Sequence, residues 1–330
     1  AAAYTGSAGN DLFILNGGGD TIAGGAGTGD KLDVDFAAII GGAHVDLTST
    51  TDQLVSINGA AGSGTVTGFE SVDLSGYTGS FGALVTGTAG ANTVHGTTNA
   101  DQANLGAGND IYVLDDVTTD TVDGQTGTNT LALVGGVTVA NTIDFGTYSN
   151  FDNFKAYEAT GNAISLSLKA DADTDMADLR TIDLSGDTNT SGSNVIDLSL
   201  VSGAYTVTGS SGVDTITGSV GVDAIDVSAS SNDVVIIKAG ADTGVLTAGA
   251  ASTSTATMDV ITVEAGDKVD VTGVVDTQNS FDTLATATTT GNFTLTLIAK
   301  NALQAVGIYD AAANTFTHSA ASKGNAVMVT

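Results

Sequence analysis

The chain has 330 residues, and its 37 acidic residues against 8 lysines and arginines give a formal net charge of −29. It contains no cysteine, which excludes disulfides, thiolate nucleophiles and zinc sites that need sulfur. The charge argues against nucleic acid and anionic membrane surfaces as partners, because both attract basic proteins. No stretch of about 20 apolar residues is present, so the sequence predicts no membrane-spanning helix.

The acidic residues are almost all aspartate: only Glu70, Glu158 and Glu264 are glutamate. Aspartate favours turns and offers hard oxygen ligands to cations, whereas glutamate favours helices. Apolar residues make up 42% of the chain, which is too many for a disordered acidic protein. With 44 glycines and no proline, the composition predicts a folded, all-β protein with long hydrogen-bonded ladders and carboxylates in its loops.

Nine-residue repeats occur in three blocks. The first block reads GSAGNDLFI, LNGGGDTIA and GGAGTGDKLDV (6–34), the second GTAGANTVH, GTTNADQAN and LGAGNDIYV (87–113), and the third GSSGVDTIT and GSVGVDAID (209–226). Glycines at the first, second and fourth positions permit a tight turn with positive φ. The apolar eighth position is expected to face inward from a short strand. One repeat cannot bury its own core, so successive turns are expected to stack.

These blocks resemble the RTX nonapeptide G-G-x-G-x-D-x-U-x, which binds calcium in a parallel β-helix. The resemblance implies calcium as the cofactor, held by the aspartates at the sixth position and at the equivalent positions that follow each block. These predicted ligands are Asp11, Asp20, Asp30, Asp101, Asp110, Asp120, Asp214, Asp223, Asp233 and Asp242. Asn92 and Asn129 hold the same position without a charge. The alternative interpretation is a series of plain glycine-rich turns.

Between and after the blocks, alternating apolar and polar residues predict half-buried strands. Segments 69–76, 179–186 and 195–199 share an apolar-Asp-Leu-Ser pattern, which is similar to ladder strands of RTX-bearing surface-layer proteins. The string GDKVDV at 266–271 repeats GDKLDV at 29–34. That string looks like the strand that closes RTX rolls in secreted bacterial proteins.

The C-terminal part has few acidic residues and no nonapeptide. Its alternating segments predict an antiparallel β meander that caps the repeats. These segments are 293–298, 306–309, 314–317 and 326–329. Short helices are predicted only at 169–180 and 283–288.

The sequence therefore predicts an all-β chain in which RTX-type parallel β-roll or β-solenoid blocks alternate with β-ladder segments. The predicted RTX blocks are 1–36, 87–135 and 209–250. The predicted β-ladder segments are 37–86 and 136–208. The closing strands and the C-terminal β cap are predicted at 251–330.

Catalytic motifs are missing: the sequence has no G-x-S-x-G elbow, no H-E-x-x-H and no phosphate loop. Aromatic residues make up 5% and tryptophan is absent, which leaves a sugar cleft without its usual stacking platforms. We expect a protein that is not an enzyme. The expected function is structural: an extracellular, cell-surface protein that folds on calcium and assembles with copies of itself into a surface layer or filament. The alternatives are a secreted calcium-dependent adhesion module, which binds cell-surface polysaccharide, and a polysaccharide-active enzyme.

Two further expectations concern export and assembly. A chain without cysteine and proline can be threaded unfolded and then fold without disulfide or isomerase steps, and the RTX resemblance implies type I secretion. The repeats begin within six residues of the N-terminus without a polar cap. Because stacked repeats normally need capped ends to stay soluble, we expect a neighbouring subunit to cover this end.

Overall fold

The computed structural model describes the residues that follow. They are 2–16, 19–35, 41–57, 64–77, 79–114, 120–133, 147–157, 163–168, 176, 178–188, 190, 193–236, 260–262, 267–270, 307–310 and 315–318. Strands and turns dominate these residues, and none of them lies in an α-helix or in an apolar helix of membrane-spanning length. The chain forms two compact units. Unit 1 comprises Ala1–Asn162 with Asp171–Thr181, and unit 2 comprises Ala163–Ala170 with Ile182–Thr330.

Unit 1 is built from short strands joined by turns. They are β1 (Ala3–Thr5), β2 (Leu12–Leu15), β3 (Thr21–Ala23), β4 (Lys31–Val34), β5 (Ala43–Asp46), β6 (Leu54–Ile57), β7 (Val66–Thr67), β8 (Ser71–Asp73), β9 (Leu84–Thr86), β10 (Thr93–His95), β11 (Gln102–Asn104), β12 (Ile111–Leu114), β13 (Thr121–Asp123), β14 (Thr130–Leu133), β15 (Tyr148–Ser149) and β16 (Asn153–Ala156). One sheet has the order β2-β4-β8-β10-β12-β14-β16, a second β15-β13-β11-β9-β5-β6, and a third β1-β3-β7. All pairs are parallel except β5 with β6.

The strand register of unit 1 follows the nine-residue repeat within the repeat blocks. Tyr112 on β12 is aligned with Val94 on β10 and with Leu131 on β14, so partners lie two repeats apart in the chain. The three-residue strands of unit 1 other than β1 turn their central side chain inward, because successive side chains of a strand point to opposite faces. The inward residues of the largest sheet form one column: Phe13, Leu32, Val72, Val94, Tyr112, Leu131 and Phe154.

Strand β8 comes from a predicted ladder segment rather than from a nonapeptide block. It pairs with β4 on one side and with β10 on the other. Val72 in its centre is fully buried, as the apolar centres of β4 and β10 are. The two kinds of sequence therefore build one continuous parallel sheet in unit 1.

Unit 2 repeats the same construction. Its strands are β17 (Ser165–Ser167), β18 (Thr181–Asp183, whose first residue belongs to unit 1), β19 (Ser193–Asp197), β20 (Thr206–Thr208), β21 (Val213–Thr217), β22 (Ala224–Asp226), β23 (Val234–Ile236), β24 (Val260–Thr262), β25 (Lys268–Asp270), β26 (Gly307–Asp310) and β27 (Thr315–His318). One parallel sheet has the order β18-β20-β22-β24 and another β17-β19-β21-β23-β25. Strands β26 and β27 pair antiparallel.

Most of the sequence-based strand predictions that fall on described residues are confirmed. The apolar-Asp-Leu-Ser segments form β8, β18 and β19, and the two GDK strings form β4 and β25. Strands β26 and β27 match two segments of the predicted meander. The other two, 293–298 and 326–329, and the predicted helix at 283–288 lie outside the described residues. Of the predicted helix at 169–180, the described residues 176 and 178–180 are not helical.

Candidate functional site

A polar residue directly precedes each strand of the largest sheet in unit 1, and we call these residues the first ladder. Its members are Asp11, Asp30, Glu70, Asn92, Asp110, Asn129 and Asp152. In most neighbouring pairs, a side-chain oxygen of the later member accepts the backbone N–H of the earlier one, at 2.7 to 3.0 Å. Between Glu70 and Asn92, the Asn92 side-chain amide instead donates to the Glu70 carbonyl at 2.5 Å. Each rung thus joins one strand-turn to the next.

A carboxylate pair lies in the core on the other side of unit 1. Asp101 and Asp120 precede β11 and β13, and Asp120 accepts the Asp101 backbone N–H at 2.9 Å. The Tyr112 hydroxyl lies 3.3 Å from Asp101 Oδ2 and 3.0 Å from Asp120 Oδ2. The Tyr148 hydroxyl lies 3.4 Å from Asp120 Oδ2. Burial and the two neighbouring carboxylates raise the pKa of Tyr112 well above its usual value, so this phenol stays a hydrogen-bond donor.

Unit 2 contains the same kind of rung. Asp233 accepts the Asp214 backbone N–H at 2.7 Å, and Asp267 accepts the Asp233 N–H at 3.1 Å. On the other sheet of this unit, Asp223 accepts the Tyr205 N–H at 2.9 Å. The four carboxylates are buried. A carboxylate before a strand therefore serves in both units as an acceptor that links successive turns.

Some turns close the carboxylate with a serine or threonine four residues earlier, and we call them closed turns. The pairs are Ser7 with Asp11, Thr97 with Asp101, Ser210 with Asp214 and Ser219 with Asp223. The backbone N–H of the earlier residue donates to Oδ2 at 2.6 to 2.7 Å. Its hydroxyl donates to the same carboxylate at 2.8 to 3.1 Å. Both carboxylate oxygens therefore have protein donors.

An asparagine before the strand makes a different set of hydrogen bonds. The Asn129 side-chain nitrogen donates to the carbonyls of Gly124 and Asn150 at 3.0 and 2.9 Å, while its side-chain oxygen accepts the Asp110 N–H at 3.0 Å. A neutral amide thus supplies a donor on the side where an aspartate would present a second oxygen. No charge is buried at this turn.

Two aspartates have a buried oxygen without a donor, and we call their turns open turns. Within the described residues, Asp30 Oδ2 and Asp110 Oδ2 are the buried side-chain oxygens without a hydrogen-bond partner. Each of these turns has glycine as its second residue: Gly106, with φ of 91°, lies four residues before Asp110, and Gly25, with φ of 125°, lies five residues before Asp30 because that turn is one residue longer. Glycine has no hydroxyl, and this left-handed conformation is one that other residues rarely adopt.

Burial and hydrogen bonds also shift the pKa values of these carboxylates. Burial raises the pKa of Asp110 to about 6, and the single N–H from Asn92 offsets it only in part. Burial likewise raises the pKa of Asp233 to about 6, although hydrogen bonds from the Asp214 N–H and from Ser230 oppose it. Burial also raises the pKa values of Asp214 and Asp223 in the closed turns, although the hydrogen bonds that these carboxylates accept oppose the shift.

The structure places the ten predicted calcium ligands in different surroundings. Those in closed turns are Asp11, Asp101, Asp214 and Asp223. Those with other donors are Asp20 (Ala2 N–H), Asp120 (tyrosine hydroxyls) and Asp233 (Ser230 hydroxyl). Those in open turns are Asp30 and Asp110. Asp242 lies outside the described residues. No three acidic or histidine side chains converge on a common point in the described part of the chain, so a cation there would need backbone carbonyls or water as further ligands.

Sequence reasoning missed two residues of the first ladder. Glu70 and Asp152 lie outside the nonapeptide blocks, yet they precede β8 and β16 and accept the N–H groups of Asp30 and Asn129. A shared signal marks both: Phe-Glu-Ser-Val at 69–72 and Phe-Asp-Asn-Phe at 151–154. An acid between a phenylalanine and a short apolar strand would have identified them.

A separate charged cluster lies where β4, β8 and β10 meet. Asp73 Oδ2 lies 2.6 Å from Lys31 Nζ, and Asp73 Oδ1 lies 3.2 Å from His95 Nδ1. Ser75 donates its N–H and its hydroxyl to Asp73 at 3.0 and 2.6 Å. Burial raises the pKa of Asp73, but the hydrogen bonds from His95, Lys31 and Ser75 outweigh it and hold the pKa below its usual range.

Replacing Asp73 with asparagine should lower the free energy of unfolding by about 1–3 kcal/mol, because a buried charged hydrogen-bond acceptor is lost. The matched control is Asp226→Asn: Asp226 accepts the same two bonds from Ser228 at 3.0 and 2.6 Å but is exposed. That change should cost less than about 0.5 kcal/mol. Urea denaturation followed by circular dichroism measures both, and equal losses would contradict the role of the cluster.

The pH dependence of this difference has a definite sign. Because the folded pKa of Asp73 is depressed, its contribution is complete above the unfolded pKa of about 4 and is lost as the pH falls below it. The gap between wild type and Asp73→Asn should therefore be constant near neutral pH and shrink below about pH 4.

No protein-family model matches this chain. No curated protein matches it either.

Proposed function

We propose that the chain is an extracellular structural protein, built as an RTX-like parallel β-solenoid, that is stabilised by calcium and assembles with copies of itself. The observation that carries the proposal is the pair of buried, unpartnered carboxylate oxygens at Asp30 and Asp110. The strand pairing within the repeat blocks supports the solenoid: Tyr112 lies 18 residues from its parallel partner Val94 and 19 residues from its parallel partner Leu131. Two nine-residue repeats for each coil require this spacing.

Calcium fits the open turns chemically. A buried carboxylate oxygen without a donor is costly, and calcium prefers hard oxygen ligands from carboxylates, backbone carbonyls and water. Asp30 and Asp110 would each supply a carboxylate to such an ion. The bound ion would neutralise local charge on a chain whose formal net charge is −29 and whose self-repulsion opposes a compact state.

Calcium dependence would also suit a protein exported to the cell surface. The open turns would lack calcium inside the cell and gain it outside, so folding would follow export. A chain without cysteine or proline needs no disulfide and no proline isomerisation for that folding. Type I secretion belongs to the same proposal and is supported by the resemblance to RTX repeats.

Self-assembly is supported by the exposed edge of unit 1. Strands β1 and β2 are the outermost strands of their sheets, and Tyr4, Leu12 and Ile14 on them are 52%, 58% and 55% exposed. Outermost strands present backbone groups to which another chain can add. We propose that a second copy of this chain covers the edge.

The calcium part is tested by thermal unfolding in chelator, in millimolar calcium and in millimolar magnesium. At a calcium concentration about ten times the dissociation constant, each open turn should gain about 1.4 kcal/mol. Two such turns would raise the melting temperature of a unit of this size by roughly 6–12 °C. Magnesium should have a smaller effect, because it demands a tighter octahedral shell. Equal melting temperatures in calcium and chelator would contradict the proposal.

The assembly part is tested by sedimentation of the wild type and of the double variant Leu12→Thr, Ile14→Thr in calcium. The wild type should form larger species, and the double variant should sediment as a monomer. The matched control is Leu200→Thr, since Leu200 is 60% exposed but lies in a turn of unit 2. A wild type that stays monomeric at high concentration with calcium would favour the adhesion module over the structural protein.

A further inference from the structure

The open and closed turns differ at one position of the repeat. Ser7 and Gly25 stack on each other: an added Cβ on Gly25 would lie 2.2 Å from the Ser7 carbonyl oxygen. Gly106 stacks on Thr88 in the same way, at 2.0 Å. The glycines of the open turns therefore occupy the position of the serines and threonines, which is the second position of the nonapeptide.

At a closed turn, the second residue aims two donors at the carboxylate. For Asp223, the Ser219 N–H donates to Oδ2 at 2.7 Å, the Ser219 hydroxyl lies 2.8 Å from Oδ1, and the Tyr205 N–H donates to Oδ1 at 2.9 Å. The positive ends of the two N–H groups face the carboxylate, and the Ser219 hydroxyl lies between Asp223 Oδ1 and the Gly203 carbonyl oxygen, which is 2.7 Å away. A cation approaching the same oxygens would have to displace these donors and lose their hydrogen bonds, each of which is worth more with a charged acceptor.

At an open turn, these donors are missing. Asp110 Oδ1 accepts the Asn92 N–H at 2.8 Å, while Asp110 Oδ2 is buried without a partner. Gly106 has no hydroxyl to offer. Its left-handed φ of 91° gives the turn a backbone course that a serine or threonine would adopt only with strain. Because the second residue of this turn is glycine, Asp110 Oδ2 is left without a hydrogen-bond donor.

We propose that the second residue of each turn decides whether that turn takes a cation: serine or threonine makes the turn independent of cations, and glycine makes it dependent on one. The dependent half rests on the proposed calcium function, and the independent half stands without it. The protein would then combine metal-free turns and metal-dependent turns in one repeat series, with the choice made by a single side chain.

The proposal predicts that the two units respond differently to calcium. Both open turns of the described residues, at Asp30 and Asp110, belong to unit 1. In unit 2, Asp214 and Asp223 lie in closed turns, and Asp233 accepts the Ser230 hydroxyl at 3.1 Å. Unit 2 should therefore keep its hydrogen-bonded structure around these turns in chelator.

Hydrogen–deuterium exchange of the full chain, in chelator and in calcium, tests this distribution. Peptides that cover 24–34 and 105–114 should exchange about tenfold more slowly in calcium, the factor expected at a concentration ten times the dissociation constant. Peptides that cover 205–227 should exchange at the same rate in both. Calcium protection of 205–227 equal to that of unit 1 would overturn the proposal while leaving the calcium function intact. If calcium protects none of these peptides, both the proposed calcium function and the proposed cation dependence of the glycine turns would be overturned.

A substitution at a closed turn tests the cause. Ser219→Gly should convert the turn of Asp223 into an open one, so that peptides covering 218–226 exchange faster in chelator and regain protection in calcium. The matched control is Ser219→Ala, which removes the same hydroxyl but disfavours the left-handed conformation; it should exchange faster in both conditions. Ser210→Gly provides the same test at Asp214 if the first variant folds poorly. Glycine variants without a gain in calcium response would overturn the proposal.

Discussion

Replacing Phe154 with alanine is expected to lower the free energy of unfolding of unit 1 by about 3–5 kcal/mol. Phe154 is fully buried and is aligned with Leu131 on the neighbouring strand β14. The other inward side chain of β16 is the small Ala156, so it offers little volume to fill a cavity at this position. Urea denaturation followed by circular dichroism, at one fixed calcium concentration, measures the loss.

The control for this change is Leu200→Ala. Leu200 is among the most exposed apolar residues described, so its truncation should change the free energy of unfolding by less than about 0.5 kcal/mol. A loss below about 1 kcal/mol for Phe154→Ala would mean that the inward column does not hold the stacked strands together.

Replacing Asp110 with asparagine is expected to stabilise the protein in chelator and to reduce its stabilisation by calcium. In chelator, the variant should be more stable than the wild type by about 1–3 kcal/mol, because a buried oxygen without a donor is removed. The chain already has an asparagine at the next position of the first ladder: the side-chain nitrogen of Asn129 donates to two backbone carbonyls. In calcium, the variant should lack the stabilisation of about 1.4 kcal/mol that one site supplies at ten times the dissociation constant.

Asp223→Asn is the matched control, because Asp223 has the same place before a strand but lies in a closed turn. There the Tyr205 and Ser219 N–H groups donate to different oxygens of the carboxylate, and an asparagine can accept only one of them. The variant should lose about 1–3 kcal/mol in chelator and in calcium alike. Thermal unfolding of the wild type and the two variants in both conditions checks this, and a stabilised Asp223→Asn would contradict the distinction between the turns.

The repeat period made much of the fold predictable. Glycine-rich turns about every nine residues, each followed by an aspartate or asparagine and a short alternating segment, predicted strands that the structure confirms at β2, β3, β4, β10, β11 and β12. The apolar-Asp-Leu-Ser pattern also predicted β8, and its aspartate and serine form the bend that ends this strand: Asp73 Oδ1 accepts the Ser75 N–H at 3.0 Å. Local signals sufficed here because turn and strand are both decided within a few residues.

The antiparallel strand β6 was not predictable in this way. It pairs with β5 at the edge of its sheet, and the buried Gln53 before it donates to the carbonyls of Leu47 and Phe69 at 2.8 and 2.9 Å. These contacts join residues from separate turns. A lone buried glutamine has no local sequence signature, because its partners are backbone groups.

The charged cluster at Asp73 depends on the same kind of information. Lys31, Asp73 and His95 are far apart in the chain, and only the parallel pairing of β4, β8 and β10 places them together. The sequence offered many aspartates as partners for few basic residues. The strand register places Asp73, rather than another aspartate, beside Lys31 and His95.

The sequence by itself determined where the turns and short strands lie, which residues face inward, and that an acid or amide stands before most strands. Only the tertiary structure showed that the second residue of a turn reaches the carboxylate and that a neighbouring turn supplies a further donor. Asp110 and Asp223 both hold the sixth position of a nonapeptide, yet Asp110 has a buried oxygen without a donor, whereas Asp223 is closed by Ser219 of its own turn and by Tyr205 of the neighbouring turn. The reason is physical: a repeat fixes positions through local backbone geometry, whereas the donors of a carboxylate come partly from the neighbouring turn, and their supply depends on how successive turns stack.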